Sequence, residues 1–153
     1  MNRRGYRSSC RKLLLDTSFL LPIMGFETSN AVMRAFEKLS LYTLYYSDIS
    51  LLEASWKIVK AVRMNEERIT RISEGVKAIR TTMNNVPIDE KSFKRAIEMY
   101  KMGHKDMVDN LLYSVAALRE LKLLTVDTEL LEFVGKHGLP RKNIITPSEL
   151  DQS

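Results

Sequence analysis

The chain has 153 residues, 44% hydrophobic and 28% charged, with 6 Gly and 4 Pro; this make-up fits one globular domain with its own core and excludes collagen-like, low-complexity and disordered chains. A single cysteine, Cys10, and two well-separated histidines, His104 and His137, exclude an internal disulfide, a thiolate zinc site and a His-rich metal site. The net charge of +5 is unevenly spread, at +5 over residues 1–12, −3 over 13–53, +4 over 54–83 and −1 over 84–153, which suits either solvated helix faces or a polyanion-binding surface beside an acidic site.

Arg3, Arg4, Arg7, Arg11 and Lys12 open the chain, but Asp16 interrupts the apolar sequence behind them and no small-residue cleavage site follows, so no signal peptide is expected. The longest apolar run, Phe19 to Phe26, falls far short of the ~20 residues that span a bilayer. Residues 1–11 therefore read as a basic arm and residues 12–153 as a single domain, with a cytoplasmic location expected for a disulfide-free chain. Lys12 to Leu15 reads as a buried strand running into a helix cap at Asp16-Thr17-Ser18. Residues 27–39 read as a helix capped by Thr28 or Ser29, with Val32, Phe36 and Leu39 on its apolar face. Thr43 to Tyr46 is a second strand, in which Tyr42, Tyr45 and Tyr46 serve packing. Asp48 to about Met64 is helical, and Ile49, Leu52, Trp56, Val59 and Val62 form a stripe that makes Trp56 more simply a core residue than an RNA contact. A further helix covers Glu66 to about Thr82 on Ile69, Ile72, Val76 and Ile79. Asn84-Asn85 breaks it, Val86-Pro87-Ile88 is at most a short edge strand, and Asp89 caps a helix over residues 90–102 that Gly103 ends. Asp106 to Leu121 is helical on Val108, Leu111, Leu112, Val115 and Leu118. Lys122 to Val126 is a strand, Asp127 opens a helix ending near Gly138, and Asn143 to Ile145 is a last strand before a short helical tail at Pro147. Strands alternating with long helices give an α/β fold of three layers, a mainly parallel sheet with helices on both faces.

No Gly-rich phosphate loop, G-x-S-x-G elbow or H-E-x-x-H is present. What stands out is a set of acids near strand ends: Asp16 after the first strand, Glu53 one turn into the helix after the second, Asp127 after the strand at residues 122–126, and Asp109 in the first turn of the helix leading to it. Ligands of open α/β sheets gather at that edge. Crowded carboxylates raise one another's pKa unless a cation neutralises them, and all-oxygen ligation suits magnesium or manganese, which can polarise a phosphate and activate water. Each acid also has a purely structural reading: Asp16 and Asp127 as N-caps, Ser50 to Glu53 as a capping box, and Asp109 as a favourable charge at a helix dipole.

Leu13-Leu-Leu-Asp16-Thr17-Ser18-Phe19-Leu20, Ser47-x-x-Ser50-x-x-Glu53, Asp109-Asn110 to Ala117 and Leu123-Leu-Thr125-Val-Asp127 together resemble the PIN-domain ribonucleases over roughly residues 12–146. The resemblance implies a metal-dependent endoribonuclease with Asp16, Glu53, Asp109 and Asp127 around one or two Mg2+ or Mn2+ ions, supported by Thr17, Ser18 and Thr125. Asp106 is a candidate fifth acid, more simply an N-cap, and Asn110 stands where the family commonly has a small residue. Many members are toxins of the VapC type, so an RNA substrate, a small antitoxin partner and a homodimer are expected, and no membrane. The alternative is a catalytically inactive PIN-like module that binds RNA or protein. Phosphatase-like and receiver-like readings fail on the missing Asp-x-Asp and the missing lysine near the last strand.

Overall fold

The computed structural model describes residues 11–152; all of the expected basic arm except Arg11 lies outside the described residues. Strand β1 (Lys12–Leu15) buries its three leucines completely. A strand apolar on both sides belongs at the centre of a parallel sheet covered on both faces. It pairs in parallel with β2 (Thr43–Tyr46) and β4 (Lys122–Leu124). β3 (Asn84–Asn85) adds beyond β2 and β5 (Ile144–Ile145) beyond β4, giving an all-parallel sheet of order β3-β2-β1-β4-β5.

Alternation along the strands divides the core in two. Leu13, Leu15, Leu124 and Ile145 enter one cluster, and Leu14, Leu123 and Ile144 the other. The first is covered by α1 (Thr17–Leu20), α2 (Asn30–Leu39), α3 (Asp48–Ala61) and α4 (Glu66–Thr82), the second by α5 (Glu90–Met102), α6 (Met107–Leu118) and α7 (Thr128–Lys136). This is the three-layer α/β/α arrangement expected. Helix starts fall on short polar side chains that accept from the first-turn N–H groups: Ser29 for α2, Asn65 for α4, Asp89 for α5, Asp106 for α6 and Asp127 for α7. Gly103, with φ of 123°, stops α5 as expected. Among the described residues no helix is long and apolar enough to cross a membrane.

Four local expectations are corrected. Asn84 and Asn85, read as a helix breaker, form β3 themselves; the Val86 N–H then bonds to Tyr46 O at 2.8 Å, and Pro87, having no N–H, cannot extend the ladder. α3 presents the opposite face to the core from the one its large apolar residues mark. Ser50, Leu51, Ala54 and Ile58 are buried, whereas Leu52, Trp56 and Val59 are 69%, 58% and 48% exposed. The small Ser50 and Ala54 let the helix approach α1 closely, and a stripe read from size alone misses that. Trp56 is therefore a surface residue. In α4 Ile69 is likewise exposed, and the close contact is made by Gly75, where an added Cβ would lie 2.6 Å from both Ile23 O and Met24 Cα of the preceding 3-10 turn (Pro22–Met24). α6 is buried on nearly every side from Asp109 to Ala116, so its one-sided stripe was incomplete, and Leu118 lies half-exposed at its end.

Candidate active site at the carboxyl edge of the sheet

From β1 the chain turns to β2 on one side, while β4 lies on the other. The carboxyl ends of β1 and β4 thus flank the point where strand order reverses, the usual crevice of an open α/β sheet. Asp16 stands there directly after β1. It occupies the N-cap position of α1 without a full capping hydrogen bond, the Ser18 N–H only helping to hold its charge. Instead Thr125, fully buried just past β4, donates its Oγ1–H to Asp16 Oδ2 at 2.7 Å and accepts from the Asp127 N–H at 3.0 Å. One threonine thereby ties the two strand-end acids together. Asp127 does cap α7, its Oδ1 accepting from the N–H groups of Glu129 and Leu130 at 2.9 and 3.2 Å.

Burial pushes the Asp16 carboxyl up to about 6, Thr125 opposing the shift and the charge of Glu53 adding to it, with Lys57 opposing. Asp109 is pushed up to about 10, first by burial, then by a hydrogen bond shared with Asp127 and by the negative charges of Asp16, Asp106 and Asp127. Asp127 is held below the ordinary carboxylate range, chiefly because Asp109 donates to it, helped by the α7 N–H groups. The two neighbouring carboxylates are driven apart in pKa, Asp109 up and Asp127 down. Asp16, Asp109 and Asp127 are thus one electrostatic unit. Glu53 reaches it only through charge. Its carboxylate pairs with Lys57 at 3.3 Å, and the capping box expected with Ser50 is absent, since Ser47 caps α3. Asp106 accepts from the Asp109 N–H at 3.1 Å, the simple N-cap role, while its charge still adds to Asp109. Thr17 is fully buried with an unpartnered Oγ1, and Ser18 is half-buried beside it.

Sequence reasoning missed His104. It is buried directly after Gly103, its ring 5.1 Å from that of Phe133, and its charge contributes to lowering Asp127. Asn110, noted only as a departure from the family's small residue, is what holds it. The Asn110 amide N–H2 donates to Ala96 O and His104 O at 3.3 and 2.8 Å, leaving Oδ1 to accept the His104 Nδ1–H at 2.6 Å. A histidine following a helix stop and an amide adjoining a site acid were the available signals.

The family model for the PIN domain matches residues 13–136. The chain belongs to the PIN-domain family. No curated protein matches it. Its fold is similar to that of solved PIN-domain-sized chains. These include a toxin–antitoxin complex from Klebsiella pneumoniae (20% identity, TM-score 0.61, covering 88% of this chain and 97% of that one). They also include FitAcB from Neisseria gonorrhoeae (16%, 0.62, 89% and 98%) and VapBC2 from Rickettsia felis bound to a DNA fragment from its promoter (14%, 0.60, 88% and 98%). At such identities the likeness is one of fold.

The donors at the edge of this PIN domain are carboxylates and hydroxyls, an all-oxygen set that fits a hard divalent cation in kind. The raised Asp109 carboxyl beside the lowered Asp127 and the unpartnered Thr17 Oγ1 are the signs of a polar site whose charges are unbalanced by protein alone. Among the described residues, however, no group of three Asp, Glu, His or Cys side chains is gathered closely enough to hold a metal ion. The acids are neighbours rather than a closed shell: Asp127 Oδ1 is engaged in capping and Glu53 in its pair with Lys57.

Proposed function

We propose that this PIN domain is a Mg2+- or Mn2+-dependent endoribonuclease, the toxin of a toxin–antitoxin pair. The observation that carries the reading is the linkage Asp16–Thr125–Asp127 with buried, proton-holding Asp109 at the topological switch of the sheet. Three acids that serve only as caps need neither a buried hydroxyl between two of them nor a proton trapped by the third. Asp16, Asp109 and Asp127 would hold the cation, Glu53 joining on release from Lys57, with Thr17, Ser18 and Thr125 orienting carboxylates or waters. When bound, the ion supplies charge to the scissile phosphate and lowers the pKa of an attacking water. The protein's own part is to fix Asp16 through Thr125 and to give up the Asp109 proton. Asp106 stays a cap.

An antitoxin partner is supported by the toxin–antitoxin complex among the similar structures and by an uncovered apolar stripe on α5, where Phe93, Ile97 and Tyr100 are 43%, 58% and 44% exposed. A second copy of the chain is the other expected occupant, and intracellular RNA the substrate. The alternative, an inactive PIN-like binding module, is disfavoured because all four acids are present.

Incubating the purified protein with total RNA, with manganese or with chelator, beside Asp16→Asn, tests the proposal. Cleavage by the wild type in manganese alone is expected, with a loss of at least about a hundredfold in the variant, a size typical of removing one preorganised electrostatic group. Cleavage that persists in chelator, or equal cleavage by Asp16→Asn, contradicts it.

A further inference from the structure

α3 starts at the site and leads away from it. Glu53 and Lys57, one turn apart, both act on Asp16 through charge, so this part of the helix borders the acids. At 100° per residue, Glu53, Trp56 and Lys60 fall within an arc of roughly 60°, and Trp56 lies about 4.5 Å along the axis beyond Glu53. Trp56 is 58% exposed with no aromatic neighbour among the described residues, and the Lys60 ammonium stands 4.8 Å over its ring. Arg63 follows at the end of the helix. Among the described residues neither Lys60 nor Arg63 pairs with a carboxylate. The hollow of about 370 Å³ between α3 and α4, lined by Ile58, Val62, Glu67, Arg68 and Arg71, opens on the other side of α3, roughly 120–160° around the helix from Trp56.

We propose that the outer face of α3 is the track for a single-stranded RNA, with Trp56 as a base-stacking platform one turn from Glu53 and Lys60 and Arg63 as its phosphate contacts. The proposal rests on the ribonuclease reading for its placement beside the acids, and names a substrate-positioning residue that reading does not contain. An aromatic face flanked by cations along a basic surface is how proteins hold single strands without sequence preference, through stacking and backbone neutralisation together. A protein partner burying the same face would have to strip water from Lys60 and Arg63 without an internal counter-charge, at a cost phosphates remove. The large apolar neighbours Leu52 and Val59 lie on the side of Trp56 away from Glu53, where they border the platform without blocking the path to the acids.

Trp56 is the sole tryptophan of the chain, so its fluorescence reports this surface directly. The test titrates the full chain, in chelator to prevent cleavage and in magnesium, with a short single-stranded RNA of mixed sequence. Saturable quenching that weakens with added salt is expected, and Trp56→Ala should bind about tenfold more weakly while Trp56→Phe keeps most of the affinity. In a cleavage assay Trp56→Ala should raise KM and leave kcat nearly unchanged. Emission unchanged at saturating RNA, equal affinity of Trp56→Ala, or a blue shift that grows with protein concentration without RNA and ignores salt would each overturn the proposal, the last assigning the face to protein contact. Quenching by RNA in a protein that cleaves nothing would sustain the track and refute the nuclease; metal-dependent cleavage with an unresponsive Trp56 would do the reverse.

Discussion

Asp16 and Asp109 cost this PIN domain stability in the absence of a cation, and the sign of the pH dependence follows. An unfolded aspartate titrates near about 4, whereas folded Asp16 titrates at about 6 and Asp109 at about 10. Between those values the folded chain holds more protons than the unfolded one, so stability falls as pH rises. The part due to Asp16 is complete below about pH 4 and lost on passing about 6, a difference of about 3 kcal/mol. That of Asp109 continues to decline through neutrality. Asp127, Asp89 and Glu149, held below their ordinary values, act in the opposite sense and only in more acid solution. Chelator-treated protein is therefore expected to melt lower at about pH 8 than at about pH 5, and Asp109→Asn should flatten the slope. A wild-type melting temperature that rises over this interval contradicts the buried proton on Asp109.

At the scale of elements, the path from β1 to the site depends on a close approach that only glycine permits. α4 meets the Pro22–Met24 turn at Gly75, where a Cβ would stand 2.6 Å from backbone atoms that cannot swing aside. Gly75→Ala is expected to destabilise the fold by about 1–3 kcal/mol despite alanine's better helix propensity; urea unfolding checks this, and an unchanged or higher midpoint contradicts it. The same packing explains which elements were legible. β1, α5 and α7 were readable because their caps and apolar runs are local: Asp89 and Gly103 bound α5, and Asp127 opens α7. The buried face of α3 was not, because Ser50 and Ala54 are chosen by the space beside α1, a fact absent from the helix's own spacing. β3 escaped for a related reason, its two asparagines being held by a backbone ladder to Tyr45 and Tyr46 rather than by strand propensity.

For the molecule as a whole, the all-parallel order β3-β2-β1-β4-β5 gathers residues 93 positions apart, Asp16 and Asp109, at one edge. Strand-end acids in an α/β pattern made Asp16, Asp109 and Asp127 legible as a group before any contact was known. The linking hydroxyl of Thr125 was legible only as a supporting residue, and the buried His104–Asn110 bond not at all, since it joins a loop to a helix interior through groups ordinary in sequence. Glu53 shows the limit from the other side: its charge reaches Asp16, but its carboxylate rests on Lys57. The central claim is that this edge is a divalent-cation site closed by loss of the Asp109 proton. Calorimetric titration of the chelator-stripped protein with manganese near pH 7, repeated in buffers of different ionisation enthalpy, measures binding and proton release together. The account predicts saturable binding with about one proton released, and loss of both in Asp109→Ala; no binding, or binding without proton release, would contradict it.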